Sequence, residues 1–296
     1  MRIYRDHIKL YGGILMRKVG LSRNELISER DFAEMKDAGI DCIELSPIQS
    51  DNYDYVDYDR LGALSAKYGI ELRSYHLRFA PFEMLDISSL DEELRRKSVL
   101  YHNNCMTCAA NAGMKIFVIH PSGEPNEPET RSAKLAASKR SLSELADHAE
   151  KLGGVIAVED LPRTCLGNTA DEMLELIRDD NRLRVCFDTN HLLKEDPSDF
   201  ARKVADRIVT THVSDYDFKN ERHWLPGEGK VDWVRLMDAL DEIGYAGPLV
   251  YELGFKAPIQ TLTRPRDLTS ADFVKNRNEL EARKTLTVIG TPREDL

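Results

Sequence analysis

The sequence predicts an α/β fold, a (β/α)8 TIM barrel, and three observations carry that reading. Short β-rich apolar runs alternate with longer amphipathic ones eight times over. The short runs are nearly continuous in apolar residues, as expected of strands buried on both faces of a parallel sheet. A length of 296 residues suits eight such units. A doubly wound open sheet shares the alternation, but no G-x-G-x-x-G follows the first strand.

The first strand is weakly marked and is placed within IKLYGGILM (8–16), with a helical pattern following over 23–38. The next strands are DCIELS (41–46), ELRSYH (71–76), KIFVIH (115–120) and VIAVED (155–160), each a compact β-rich run. LRVCFDT (183–189), RIVTTHV (207–213) and PLVYEL (248–253) complete the set. Between and after them, helical patterns occupy 54–68, 91–113, 129–152, 170–178, 197–205, 231–243 and 269–284. No Pro/Gly/Ser-rich linker divides the chain, so residues 1–284 are expected to form one barrel domain and 285–296 (TLTVIGTPREDL) a C-terminal tail.

Composition narrows the function. The chain is 42% apolar and 31% charged, ordinary for a globular protein with a sizeable core. A formal charge of −10 disfavours partners gripped by phosphate neutralisation, so nucleic acid is not the expected partner. Nothing at the N-terminus reads as a targeting signal and no segment has the length of a membrane span, so a cytoplasmic protein is expected. The five cysteines are odd in number and scattered, which argues against a disulfide framework. The C-x-x-C at 105–108 lies in a helical run without a second pair, and is expected to be core helix packing.

The strand ends hold the chemical signal. Reading only the last residues of each run and the loop behind it gives His76, His120, Glu159, Asp188, His191, His212 and Glu252. Five of the eight histidines (His76, His120, His191, His212, His223) sit at or just beyond a strand C-terminus. In a barrel those ends converge on one face, where active sites are built. Crowded carboxylates raise one another's pKa unless something positive sits among them, and a divalent metal supplies that charge. A mixed nitrogen and oxygen set suits Mn2+, Zn2+, Co2+ or iron better than Mg2+.

Each residue also has a plainer reading. A lone strand-end histidine is commonly structural, Glu159 or Asp160 could cap a loop, DTNH could be an Asx turn, and PGEG a tight turn. These do not account for a metal-type residue at six consecutive strand ends. Arg78 and Arg163 follow strand ends and could meet an anionic group or simply bridge surface carboxylates. Trp224 and Phe82 could wall a pocket or pack, and RPRD (264–267) reads as solvated loop.

With CIELSP, VIAVED, CFDTNH, HWLPGEGKVDW and GPLVYEL in this order, the chain resembles the xylose isomerase-like TIM-barrel superfamily over nearly its whole length. That group includes ketose 3-epimerases, inosose dehydratase-like lyases and endonuclease IV. The resemblance implies a metal held by Glu159, Asp188, His212 and Glu252, with Mn2+ the expected ion, and Glu159 and Glu252 as the acid–base pair. It implies isomerisation, epimerisation or a related elimination on a sugar or polyol derivative through an enediolate. His76, His120, His191, Arg222 and His223 would then contact substrate. The ketose 3-epimerases carry a glutamate six residues after the first metal glutamate and an arginine six after the metal histidine. Cys165 and Phe218 stand there in this chain. Endonuclease IV suggests another assignment, with His76, His120, His191, Glu221 and His223 forming a second metal set for phosphodiester hydrolysis. A non-catalytic metal-dependent sugar-binding or assembly subunit is the third expectation, and a homo-oligomer is compatible with the architecture.

Overall fold

The computed structural model describes residues 8–11, 14–46 and 56–293. Eight parallel strands close into a barrel: β1 (Val19–Arg23), β2 (Cys42–Leu45), β3 (Glu71–His76), β4 (Ile116–Ile119), β5 (Val155–Glu159), β6 (Arg184–Asp188), β7 (Ile208–Val213) and β8 (Leu249–Tyr251). Strand β8 seals it, pairing Leu249, Val250 and Tyr251 with Val19, Gly20 and Leu21 on one side and meeting β7 on the other. Helices α1 (Glu29–Ala38), α2 (Tyr58–Tyr68), α3 (Glu92–Asn111), α4 (Pro128–Lys151), α5 (Ala170–Ile177), α6 (Pro197–Val204), α7 (Trp233–Glu242) and α8 (Ser270–Glu281) follow the strands in turn. None of the described helices is long and apolar enough to cross a membrane.

The first strand is not where the sequence placed it. Ile8–Tyr11 instead pairs antiparallel with Ile14–Arg17 in a two-stranded sheet outside the barrel, and the barrel begins at Val19. VGLSR hides as a strand because a glycine interrupts its apolar run, yet the barrel requires that glycine. A Cβ on Gly20 would lie 2.8 Å from Cys42 Sγ and 3.0 Å from Val250 Cγ2, where β1 closes against both neighbours.

Alternation within the strands separates two cores. Phe117, Ile119, Ile156, Val158, Val185 and Phe187 pack outward into the large strand–helix core. Their neighbours Ile116, Val118, Ala157, Cys186 and Val209 fill the barrel interior. The same two-residue period carries Glu159 (after Ala157) and Asp188 (after Cys186) to the inner side at the strand ends. Two register shifts re-phase β3 and β7: Ile43 and Glu44 face Leu72 and Ser74, and Val185 and Cys186 face Ile208 and Thr210. Without the extra residue, strict alternation from the inward Val209 would turn His212 outward. With it, His212 and His76 join the interior, the re-aiming role bulges commonly serve beside sites.

The long loop after β7 is anchored by two buried carboxylates. Asp215 accepts from the backbone nitrogens of Tyr216, Gly227 and Val231 and from Trp233 Nε1. Glu228 of PGEG accepts from Leu225 N, from Gly290 N at 2.6 Å, and from Arg264 at 2.7 Å. RPRD is therefore not simply solvated, since the Arg264 and Glu228 side chains are 1% and 0% exposed. Thr291–Pro292 pairs antiparallel with Leu262–Thr263, so the described part of 285–296 lies on the loop after β8. Cys105 and Cys108 do lie on α3, but half-buried and exposed rather than in the core, because α3 buries the stripe of Val99, His102, Met106 and Ala109.

Candidate metal centre and active site

Every strand from β2 to β8 delivers an ionisable side chain to the C-terminal mouth of the barrel. Glu159 and Asp188 end β5 and β6, His76 ends β3, and His212 lies one residue before the end of β7. His120 and Glu252 follow β4 and β8 directly. One ligand-type atom from each of Glu159, Asp188, His212 and Glu252 lies within 4.8 Å of all the others. His212 Nδ1 is 2.9 Å from Glu159 Oε1, 3.4 Å from Glu252 Oε2 and 3.8 Å from Asp188 Oδ2.

The donor set fits a divalent cation. Asp188 Oδ1 accepts from Asn190 N at 2.6 Å, whereas Oδ2, the oxygen nearest His212, is buried without a hydrogen-bond partner. That oxygen lies 3.5 Å from His191 Nδ1 and 3.8 Å from His212 Nδ1 in a cluster with two further carboxylates, and leaving it unbonded is costly unless a cation completes it. The electrostatics agree. Burial, with Glu252 and Glu159 close by, pushes the Asp188 carboxyl up to about 7. Burial also disfavours ionised Glu159, but His212 and His120 outweigh it and hold that carboxyl well below its usual range. His76 answers to the same group: burial opposes its charge, the Glu159 contact reverses the balance, and its pKa rises to about 9.

One residue of this site escaped the sequence reading. Glu44, one residue before the end of CIEL, is fully buried, and His212 Nε2 donates to its Oε1 at 2.6 Å. Ser74 Oγ donates to the other Glu44 oxygen at 2.8 Å. With Nε2 so engaged, Nδ1 is the nitrogen left for the quartet, the arrangement by which a carboxylate orients a metal-binding histidine. Asp160 was read as a loop-capping carboxylate, and its Oδ1 does accept from Asp188 N at 2.8 Å.

The remaining histidines ring the mouth. His76 Nδ1 donates to Leu77 O at 2.8 Å, and both His76 Nε2 and His120 Nε2 face Glu159 Oε2, at 3.0 and 3.1 Å. His191 Nδ1 donates to Asp160 O at 2.8 Å, and His223 Nδ1 to Glu252 O at 3.0 Å. Their Nε2 atoms approach Glu221 Oε2 at 3.3 and 4.0 Å, so His191, Glu221 and His223 form a second cluster within 4.8 Å. Its carboxylate is shared, since the Arg163 guanidinium also binds Glu221. Asn190 Oδ1 accepts from the backbone nitrogens of Arg222 and His223, pinning a turn in which His223 has a φ of 49°.

A cavity of about 180 Å³ opens over these groups, lined by His76, His120, Glu159, His191, His223 and Glu252, together with Phe79, Phe82, Glu124, Arg163, Cys165 and Glu221 among others. Arg222 is not among its lining residues. The Arg222 guanidinium is held by Asp217 at 2.8 Å and lies 5.9 Å from the Trp224 ring. Trp224 is buried packing, its Nε1 donating to Thr261, whereas Phe82 does wall the cavity. Arg78 is buried, its Nε donating to Ala80 O at 2.8 Å.

A parallel eight-stranded barrel with a carboxylate–histidine cluster at its C-terminal mouth defines a class of protein, and the sequence matches a family of that class. Residues 32–270 match the model of the xylose isomerase-like TIM barrel, and the chain belongs to that family. It is 25% identical over 224 residues to a D-psicose 3-epimerase of Ruminiclostridium cellulolyticum, covering 72% of this chain and 74% of the relative. It is 28% identical over 205 residues to an uncharacterized protein of Methanocaldococcus jannaschii, covering 65% and 70%. Among solved structures, a D-tagatose 3-epimerase-like protein superposes with a TM-score of 0.74 over 90% of this chain and 98% of the other; at 23% identity this speaks to the fold.

Proposed function

We propose that this protein is a divalent-metal-dependent isomerase or epimerase that moves a proton on a sugar or polyol derivative through an enediolate. The observation that carries the reading is the placing of Glu159 and Glu252 on one cavity, both within reach of His212 Nδ1. Glu159, Asp188, His212 and Glu252 would hold the cation. When bound, it supplies a positive charge that stabilises negative charge developing on the sugar oxygens.

One of the two glutamates then takes the proton from the carbon next to the carbonyl. The other, protonated, delivers one to the same framework and leaves the stereocentre inverted or the carbonyl moved. His76 and His120 steady Glu159 through its second oxygen, and His191 and His223 present Nε2 atoms to substrate hydroxyls. The D-psicose 3-epimerase relative is consistent with such chemistry. Mn2+ is the ion we expect, with Co2+ and Zn2+ as substitutes. The test is the Glu252→Gln protein: it should fold and still bind sugar, but stop exchanging the substrate's α-proton with solvent deuterium by NMR. Exchange at the wild-type rate would refute the assignment.

A second reading, phosphodiester hydrolysis at a multinuclear zinc site, is favoured by the cluster of His191, Glu221 and His223. Arg163 weighs against it, because a fixed guanidinium on Glu221 places positive charge where another cation would sit. Cleavage of an abasic-site duplex by the zinc-loaded protein would reinstate it.

A further inference from the structure

We propose that Glu124, Arg163 and Glu221 select the far end of the substrate, admitting a group that donates hydrogen bonds and rejecting phosphate or carboxylate. The proposal rests on the sugar-binding reading of this cavity and adds the charge class of what enters it. All three residues line the cavity that Glu159 and Glu252 also line, and they come from the loops after β4, β5 and β7.

An arginine at a sugar site would ordinarily suggest phosphate, which a guanidinium grips with two parallel hydrogen bonds. Here that fork is already filled. Arg163 Nε and Nη2 donate to the two oxygens of Glu124 at 3.2 and 2.5 Å. Its Nη1 donates to Glu221 and, at 3.3 Å, to Asn220 Oδ1. The backbone is committed as well: Arg163 has a φ of 51°, and Asn168 Nδ2 donates to its carbonyl at 2.8 Å. A non-glycine residue in that region persists only where its surroundings impose it.

Arg163 is the single lysine or arginine among the described residues lining the cavity. Four glutamates line the same space. With Glu159 and Glu252 assigned to the cation, Glu124 and Glu221 take three hydrogen bonds from Arg163 and the His191 Nε2 contact at 3.3 Å, which leaves the far wall with lone pairs to spare. A carboxylate has about four lone-pair sites, so both keep capacity for a hydroxyl or ammonium donor. A phosphate dianion would instead have to displace Glu124 from its two-bonded pair and lie against Glu221. Such like-charge juxtaposition is an established means of excluding a wrong ligand.

Isothermal titration calorimetry on the Mn2+-loaded full chain tests this with a hexitol, its 6-phosphate and its 6-amino-6-deoxy counterpart. We expect the hexitol or the amine to bind at least tenfold tighter than the phosphate. Glu124→Gln and Glu221→Gln, which release part of the Arg163 fork, should each narrow that gap at least tenfold. The better of the two donors identifies the end group as hydroxyl or ammonium. Equal or tighter binding of the phosphate, a gap unchanged in both variants, or no binding by any of the three would overturn the proposal. Solvent exchange separates it from the catalytic reading: turnover with a preference for phosphorylated sugars sinks only this inference. Discrimination in binding without proton exchange sinks only the isomerase.

Discussion

His212 Nε2 lies 2.6 Å from Glu44 Oε1, and both side chains are fully buried at the barrel mouth. The pair fixes which imidazole nitrogen faces Glu159, Asp188 and Glu252, so the proposed cation site depends on a residue outside the quartet. Glu44→Gln keeps the shape but loses the charge that orients and polarises the ring. It should weaken Mn2+ binding by about 10–100-fold, with the far-ultraviolet circular dichroism unchanged. Unaltered affinity by calorimetry would show that His212 needs no such partner.

His102 sets a pH limit on stability from outside the site. It is fully buried in α3 with Nδ1 unpartnered, and burial lowers its pKa from 6.5 to about 3. Below the ordinary histidine range the unfolded chain binds a proton that the folded chain refuses. Stability is therefore fully present above pH 6.5 and is lost as pH falls from there towards 3. Between pH 6.5 and pH 5 this one residue should remove roughly 1–2 kcal/mol. His102→Leu should shrink the fall in unfolding free energy over that interval by a similar amount, measured by urea denaturation. Parallel pH profiles for the two proteins would refute it.

The Arg264–Glu228 pair ties the loop after β7 to the loop after β8 and, through Gly290, to the C-terminal strand. Removing one partner of a buried pair strands the other charge. Arg264→Ala should therefore cost about 3–5 kcal/mol of stability. A loss below about 1 kcal/mol in denaturant titration would mean that water replaces the arginine freely.

Much of this was legible in the sequence because the barrel's signals are local. Seven barrel strands and all eight helices announce themselves by apolar period, and the quartet by its position at strand ends. What stayed hidden needed three dimensions. Val19–Arg23 is a strand because Gly20 alone fits between Cys42 and Val250, a constraint set by residues distant in sequence. Glu44 sits near the end of its strand, where a solvated glutamate would also sit, and only His212, arriving from β7, makes it part of the site. The two bulges that turn His76 and His212 inward leave no trace in composition. The sequence points to Arg222 as a substrate contact and to Arg163 as an anion contact or surface bridge, but Asp217 holds the first away from the cavity while Glu124 and Glu221 hold the second in its wall.

The most direct test is the metal content per chain of protein purified without chelator, measured by plasma mass spectrometry. The account predicts one ion per chain, Mn2+ foremost, lost in a variant carrying both Asp188→Asn and Glu252→Gln and unaffected by Glu221→Gln. Two or three ions per chain, predominantly zinc and reduced by Glu221→Gln, would contradict it and make His191, Glu221 and His223 ligands.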